Sequence, residues 1–246
     1  MTSEEAFFLA FVACLIGLSK GGMGPILVAL STPVLALAFP VKSAISIILP
    51  LLLIADAFAL YAFWRTWDMA YIRLMLPAAV LGVIVGTVLL IVLPDLALRT
   101  IMGLFTLSFV VYRLLQPRIA RLAYVSRPWH GVLAGGVSGL GSALANTGAP
   151  PYTAYMLLRR VPPLPFAGTA TLLFVIVNLL KMPGLLIGGI FNWDLFLASL
   201  WAAPIIPLMV WVGRYLIVRI NHDAFDRLML ALLAVASLLM LFGGSR

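Results

Sequence analysis

Cysteine occurs once, at Cys14, so no intrachain disulfide can form and no thiolate cluster can hold a metal. Histidine occurs twice, at His130 and His222, with no spacing that a zinc site uses. The eight carboxylates are scattered, and no HExxH, GxGD or DDxxD pattern appears. An intramembrane hydrolase or transferase would need such paired acids, a metal motif or an activated nucleophile. Ser19 beside Lys20 is a conceivable dyad, but adjacent residues on a helix diverge rather than converge. The reading is therefore not an enzyme, with no cofactor and no metal.

Charge of any kind is also scarce. Only 10% of the 246 residues are charged and 64% are hydrophobic, which excludes an ordinary soluble domain. Apolar runs near 20 residues, long enough to cross a hydrocarbon core, fall at about 42–63, 70–93, 95–115, 165–190, 194–213 and 225–243. They predict an all-α polytopic membrane protein. Glu4 and Glu5 stand where a signal peptide carries basic residues, so the first apolar segment is expected to be retained.

The net charge of +8 sets orientation in the bilayer rather than a nucleic-acid partner, because positive loops stay in the cytoplasm. The densest run, YRLLQPRIARLAYVSRPWH (112–130), is the cytoplasmic anchor, and counting spans outward from it brings eleven of the thirteen arginines to that side. Arg99 and Arg246 are left outside, together with both termini.

Four shorter apolar pieces remain, at about 5–17, 25–39, 129–144 and 150–158. Each pair is joined by small residues, SKGGMGP in one case and SGLGSALANTGAPP in the other. Interrupted backbone in a bilayer must be buried in protein or line a polar cavity, so each pair is a broken or re-entrant hairpin. Apolar length alone leaves open whether it re-enters or crosses twice. Hairpin and then three spans occurs twice, giving 8–10 membrane segments, and WDM (67–69) recurs as WDL (193–195). Pro77 and Pro204, Gly86 and Gly213, and Arg99 and Arg227 fall at nearly the same offset, 126 to 128 residues. A repeat with an odd number of full crossings is inverted relative to its partner. The expected organisation is a first repeat over 1–115, a basic cytoplasmic linker over 116–128 and a second repeat over 129–246. Paired interruptions in two inverted halves point to a site near the midplane.

GLSKGGMGPILVALSTPVLALAFPVKSA, the later GGVSGLGSA with its following prolines, and FAGTATLLFVIVNLLKMPG (166–184) with its Asn-x-x-Lys resemble the sulfite exporter TauE/SafE family. The resemblance covers most of the chain. It implies a bacterial inner-membrane transporter of sulfite, sulfonates or related small anions.

The residues themselves suggest where such an anion would sit. A broken helix exposes backbone N–H groups, and a helix beginning after Pro25 directs its positive end back at the gap. The candidate ligands there are Ser19, Lys20, Gly21, Gly22 and Gly24, with Ser142, Asn146 and Thr147 in the second interruption. Lys20 either meets the anion or snorkels to the interface. Asn178 and Lys181, three apart on one helix, share a face that could complete the site, unless Lys181 also snorkels. Lys42, at a span start, reads as an interfacial anchor. Asp56, in mid-span, should be protonated or paired, and suits either proton coupling or a salt bridge to a site lysine. Trp64, Trp67 and Trp193 read as interfacial belt residues. Three rival readings stay open: a channel, a metal-cation transporter, for which Asp56 is the single favourable feature, and a proton-coupled importer of organic anions. The expected partners are a small anion and the bilayer, not nucleic acid, and self-association into a homo-oligomer is left open.

Overall fold

A computed structural model describes residues 3–23, 26–119, 127–216 and 222–242, and among these residues the protein is helical with no strands. The chain is an all-α polytopic membrane protein. It opens with α1 (Ser3–Leu18), which runs into a π-helical turn, Ser19–Met23, and then α2 (Ile26–Leu35). Three long helices follow: α3 (Val41–Ala62), α4 (Met69–Val92) and α5 (Asp95–Ile119). The chain continues with α6 (Pro128–Ala145), α7 (Ala149–Leu158), α8 (Pro163–Ile187), α9 (Trp193–Ser199), α10 (Ile205–Leu216) and α11 (His222–Phe242).

Helices α3, α4, α8 and the segment Asp95–Leu115 of α5 are each long and apolar enough to cross a bilayer. The span expected as continuous at 194–213 is instead broken: α9 with its short 3₁₀ turn meets α10 at a 45° bend. The break falls at Pro204, which has no N–H to donate and whose ring crowds the carbonyl four residues back. Its sequence counterpart Pro77 stays inside an unbroken α4. Helix α11 (His222–Phe242) lies where the last span is expected.

Local chemistry sets the starts of several spans. Asp68 caps α4 by accepting from the Ala70 N–H at 2.8 Å, and Asn192 caps α9 by accepting from the Leu195 N–H at 3.0 Å. The WDM and WDL motifs thus mark the beginning of the second span of each half. Trp64 and Trp193 remain exposed there, as belt residues would. At the other end of α3, the Asp95 carboxylate accepts from the Val41 N–H at 2.7 Å and from Arg99 Nε at 2.8 Å, tying α5 to α3. The outward-facing Leu81, Ile84, Val85 and Val88 of α4 suit a lipid-facing wall.

The packing pattern exchanges when the halves are exchanged. Helix α1 packs along α10, with Gly17 against Ile206 and Met209, and Gly21 against Val210 and Gly213. In the same way α6 packs along α4, with Gly131 at Leu74, Gly139 at Ala79 and Ala143 at Gly86. In both pairs the residue numbers rise together, so each hairpin's first helix runs parallel to the second span of the opposite half. Between the halves, α3 and α8 run antiparallel: Ser46 meets Asn192, Asp56 meets Asn178, and Asp68 meets Thr169.

Candidate functional site

Two of the three lysines lie inside the protein. Lys181 is 2% exposed, and Lys20 keeps 18% of its side chain exposed. An ammonium group has three donors and no acceptor, so burial requires oxygen partners. Lys181 Nζ has three: Asn146 Oδ1 at 2.7 Å, the Ser142 carbonyl at 3.0 Å and Ser142 Oγ at 3.2 Å. Snorkelling is therefore not what Lys181 does.

The second interruption makes this tripod. α6 ends at Asn146, which adopts the left-handed conformation (φ 53°, ψ 25°) that Asn tolerates better than most side chains. The turn folds back through hydrogen bonds from the Asn146 and Thr147 N–H groups to the Ser142 and Gly141 carbonyls. This places the Ser142 carbonyl and the Asn146 amide side by side in front of α8. Lysine only donates, so the amide oxygen faces Lys181 and the Asn146 Nδ2 is left to donate to Thr32 Oγ1 at 2.9 Å. Thr32 is fully buried on α2, so the two hairpins join through this bond.

Asp56 collects the other contacts. Lys20 Nζ lies 2.5 Å from Asp56 Oδ1, and Asn178 Nδ2 donates to Oδ2 at 2.6 Å. Of the two states expected for a buried acid, the paired one is present, with Lys20 as the partner. Asn178 and Lys181 share a face of α8 as their spacing requires, but they serve different groups. The contacts thus connect five elements: the π-turn, α2, α3, α8 and the turn after α6.

The remaining candidates are placed as follows. Ser19 and Gly22 belong to the same π-turn as Lys20. Gly21 lies there too, and its Cα faces α10, where an added Cβ would stand 2.5 Å from the Val210 carbonyl oxygen, so this position serves helix packing. Gly24 lies outside the described residues. Thr147 is buried, and its hydroxyl donates to the Gly141 carbonyl at 3.4 Å rather than reaching a lysine. Lys42 is half-buried, donates to the Ile91 carbonyl at 3.1 Å and borders an open cleft of about 560 Å³ that Ser43, Asn192 and Asp194 also line. Of the interruption expected across SKGGMGP, Ser19–Met23 stays helical as a π-turn whose hydrogen bonds reach one residue further than those of an α-helix, and Gly24 and Pro25 lie outside the described residues.

Thr32 is the contributor that sequence reasoning missed. The available signal was a polar Ser-Thr pair within the short apolar α2, followed by Pro33. Replacing Thr32 by valine keeps the shape but leaves the Asn146 Nδ2 donor buried and unpaired, a cost of about 1–3 kcal/mol. The purified Thr32→Val protein should melt a few degrees below wild type in detergent. An unchanged melting temperature would show that this bond does not hold the hairpins together.

The family model described as Sulfite exporter TauE/SafE matches residues 9–240, nearly the whole chain. No curated protein and no solved structure gave a match.

Proposed function

The chain belongs to the sulfite exporter TauE/SafE family, a family of membrane transporters, and on that basis we propose that it exports sulfite, sulfonates or related small sulfur-containing anions through the lysine cluster. The observation that carries this reading is the convergence of two lysine contacts, Lys20 with Asp56 and Lys181 with the turn after α6, at the junction of two interrupted hairpins and the first spans of both halves. Binding at discontinuous helices between repeats is the general design of carriers that alternate access by moving one bundle against another. Residues 1–115 and 129–246 are taken as the inverted repeats, with 116–128 as their linker. The exchange of α1–α10 for α6–α4, and the antiparallel α3–α8 pair, support that division.

The break residue of each half contacts the first span of its own half in the same manner, Lys20 with Asp56 and Asn146 with Lys181. The metal-cation reading loses its one favourable feature, because both Asp56 oxygens are engaged by a lysine and an amide.

We place the protein in the bacterial inner membrane with both termini outside. In a Cys14→Ser background, cysteines replacing the exposed Trp64 and Ile187 should be labelled from opposite faces, Trp64 from the cytoplasm. Labelling of both from one face would break this topology.

Direction follows from charge. With the cytoplasm negative, moving one negative charge outward is favoured by about 2.3 kcal/mol per 100 mV, so export needs no coupled ion. The test loads proteoliposomes with methanesulfonate or sulfite and clamps the potential with potassium and valinomycin. An inside-negative potential should accelerate efflux at symmetric pH. Efflux that ignores voltage and requires a pH gradient would establish the proton-coupled alternative.

A further inference from the structure

The network described above holds two ammonium groups and one carboxylate, and Asp56 and Lys181 are the fully buried charged residues among those described. Resting on the reading that this cluster is the transport site, we propose that Asp56 sets substrate charge. Its fixed negative charge cancels Lys20 and leaves one uncompensated positive charge, on Lys181, so the transporter takes monoanions and discriminates against dianions.

The contacts support the charge count. Asp56 accepts at both oxygens, from Lys20 at 2.5 Å and from Asn178 at 2.6 Å, which is the behaviour of an ionised carboxylate, an acceptor only. Lys181 Nζ faces three oxygens, matching the three donors of an ammonium group, and all three belong to neutral groups. Its charge therefore has no carboxylate within hydrogen-bonding distance, whereas Lys20 has one. In a buried site of low dielectric, an unmatched charge costs far more than in water. A monoanion brings the cluster to neutrality. A dianion leaves a surplus negative charge with no cation to meet it. Ser142 Oγ, the longest of the three Lys181 partners, is the one an incoming oxygen could replace at least cost. Among sulfur oxyanions the site then accepts hydrogensulfite and alkylsulfonates and disfavours sulfate and fully ionised sulfite.

The experiment compares methanesulfonate and sulfate, both of fixed charge near neutral pH and both presenting tetrahedral sulfur. Each competes for efflux of radiolabelled methanesulfonate from proteoliposomes containing the full chain. Wild type should be inhibited by methanesulfonate at a concentration at least about tenfold below that of sulfate, the factor a difference of 1.4 kcal/mol gives. Asp56→Asn raises the site to two positive charges and should narrow or reverse that ratio. The double variant Lys20→Met/Asp56→Asn restores a single positive charge without stranding a buried partner, and should restore the monoanion preference. If Asp56→Asn alone does not fold, the double variant still decides: preference for methanesulfonate supports the inference, and equal acceptance of sulfate overturns it. Equal competition by both anions in wild type, or an unchanged ratio in a folded Asp56→Asn, also overturns it while leaving transport through the cluster standing. Failure of wild type to take up or release either anion would instead remove the transport reading, and this inference with it.

Discussion

Lys181→Met is expected to reduce anion affinity by about 100-fold and to bring transport close to background. Two effects act in the same direction. The substitution removes charge-assisted hydrogen bonds worth about 1.5–3 kcal/mol each, and 1.4 kcal/mol is already a factor of ten in affinity. It also removes the one positive charge not matched by Asp56, leaving a neutral Lys20–Asp56 pair to receive an anion. The Ser142 carbonyl and Asn146 amide oxygen lose their donor at the same time, so part of the cost falls on stability. Melting temperature and monodispersity in detergent, measured beside binding, separate the two contributions. Lys181→Arg should rescue poorly, because a planar guanidinium does not match three oxygens arranged around a compact ammonium group. Wild-type affinity in a folded Lys181→Met protein would place the anion elsewhere.

Lys20→Met differs in kind. Lys20 is already paired, so its loss strands the Asp56 carboxylate, which keeps only the Asn178 amide. Removing one member of a buried pair is strongly destabilising, whereas removing both need not be. Asp56→Asn in the Lys20→Met background should therefore recover yield.

The spans at α3, α4, α5 and α8 were legible because lipid imposes the simplest of patterns, a long apolar run, on each of them. The hairpins were legible for the opposite reason: SKGGMGP and SGLGSALANTGAPP are too polar and too glycine-rich for lipid-exposed helix. The bend between α9 and α10 was not, since Pro204 looks no different in sequence from Pro77, and only packing decides whether a proline breaks its helix. Within the cluster, the identity of the polar residues stood out against an apolar background, but their pairing did not. Lys20 and Asp56 are 36 residues apart, Asn178 and Asp56 are 122 apart, and no periodicity links them. Asn178 and Lys181 illustrate the limit, because helical spacing gave their common face and could not tell that one would serve Asp56 and the other Asn146. The polar Ser31-Thr32 pair stood out in the same way, but the role of Thr32 was not legible, being fixed by a partner 114 residues away.

Gly139→Ala should prevent stable assembly, whereas Gly136→Ala, three residues earlier on the same helix, should be tolerated. The difference lies in what each Cα faces. A methyl group at Gly139 would collide with the Ala79 carbonyl oxygen and the α4 backbone behind it, and neither can move without displacing the helix. At Gly136 the nearest atoms would be the Ala78 oxygen at 3.6 Å and the Ala78 Cβ at 3.8 Å, ordinary van der Waals contact. Overpacking a core usually costs 1–3 kcal/mol by forcing side chains off their rotamers. Here no side chain can yield, so the cost for Gly139→Ala should exceed about 3 kcal/mol, while Gly136→Ala gains a little helix propensity. The functional consequence follows from what α6 carries. Its C-terminal turn supplies the Ser142 and Asn146 oxygens to Lys181, so displacing α6 from α4 withdraws them from α8. Any Gly139→Ala protein that does insert should therefore bind anion weakly even where it can be purified. Detergent-solubilised yield, melting temperature and anion affinity of the two variants, measured side by side, test this. Similar behaviour of both variants would mean that the α4–α6 seam is loose enough to admit a methyl group.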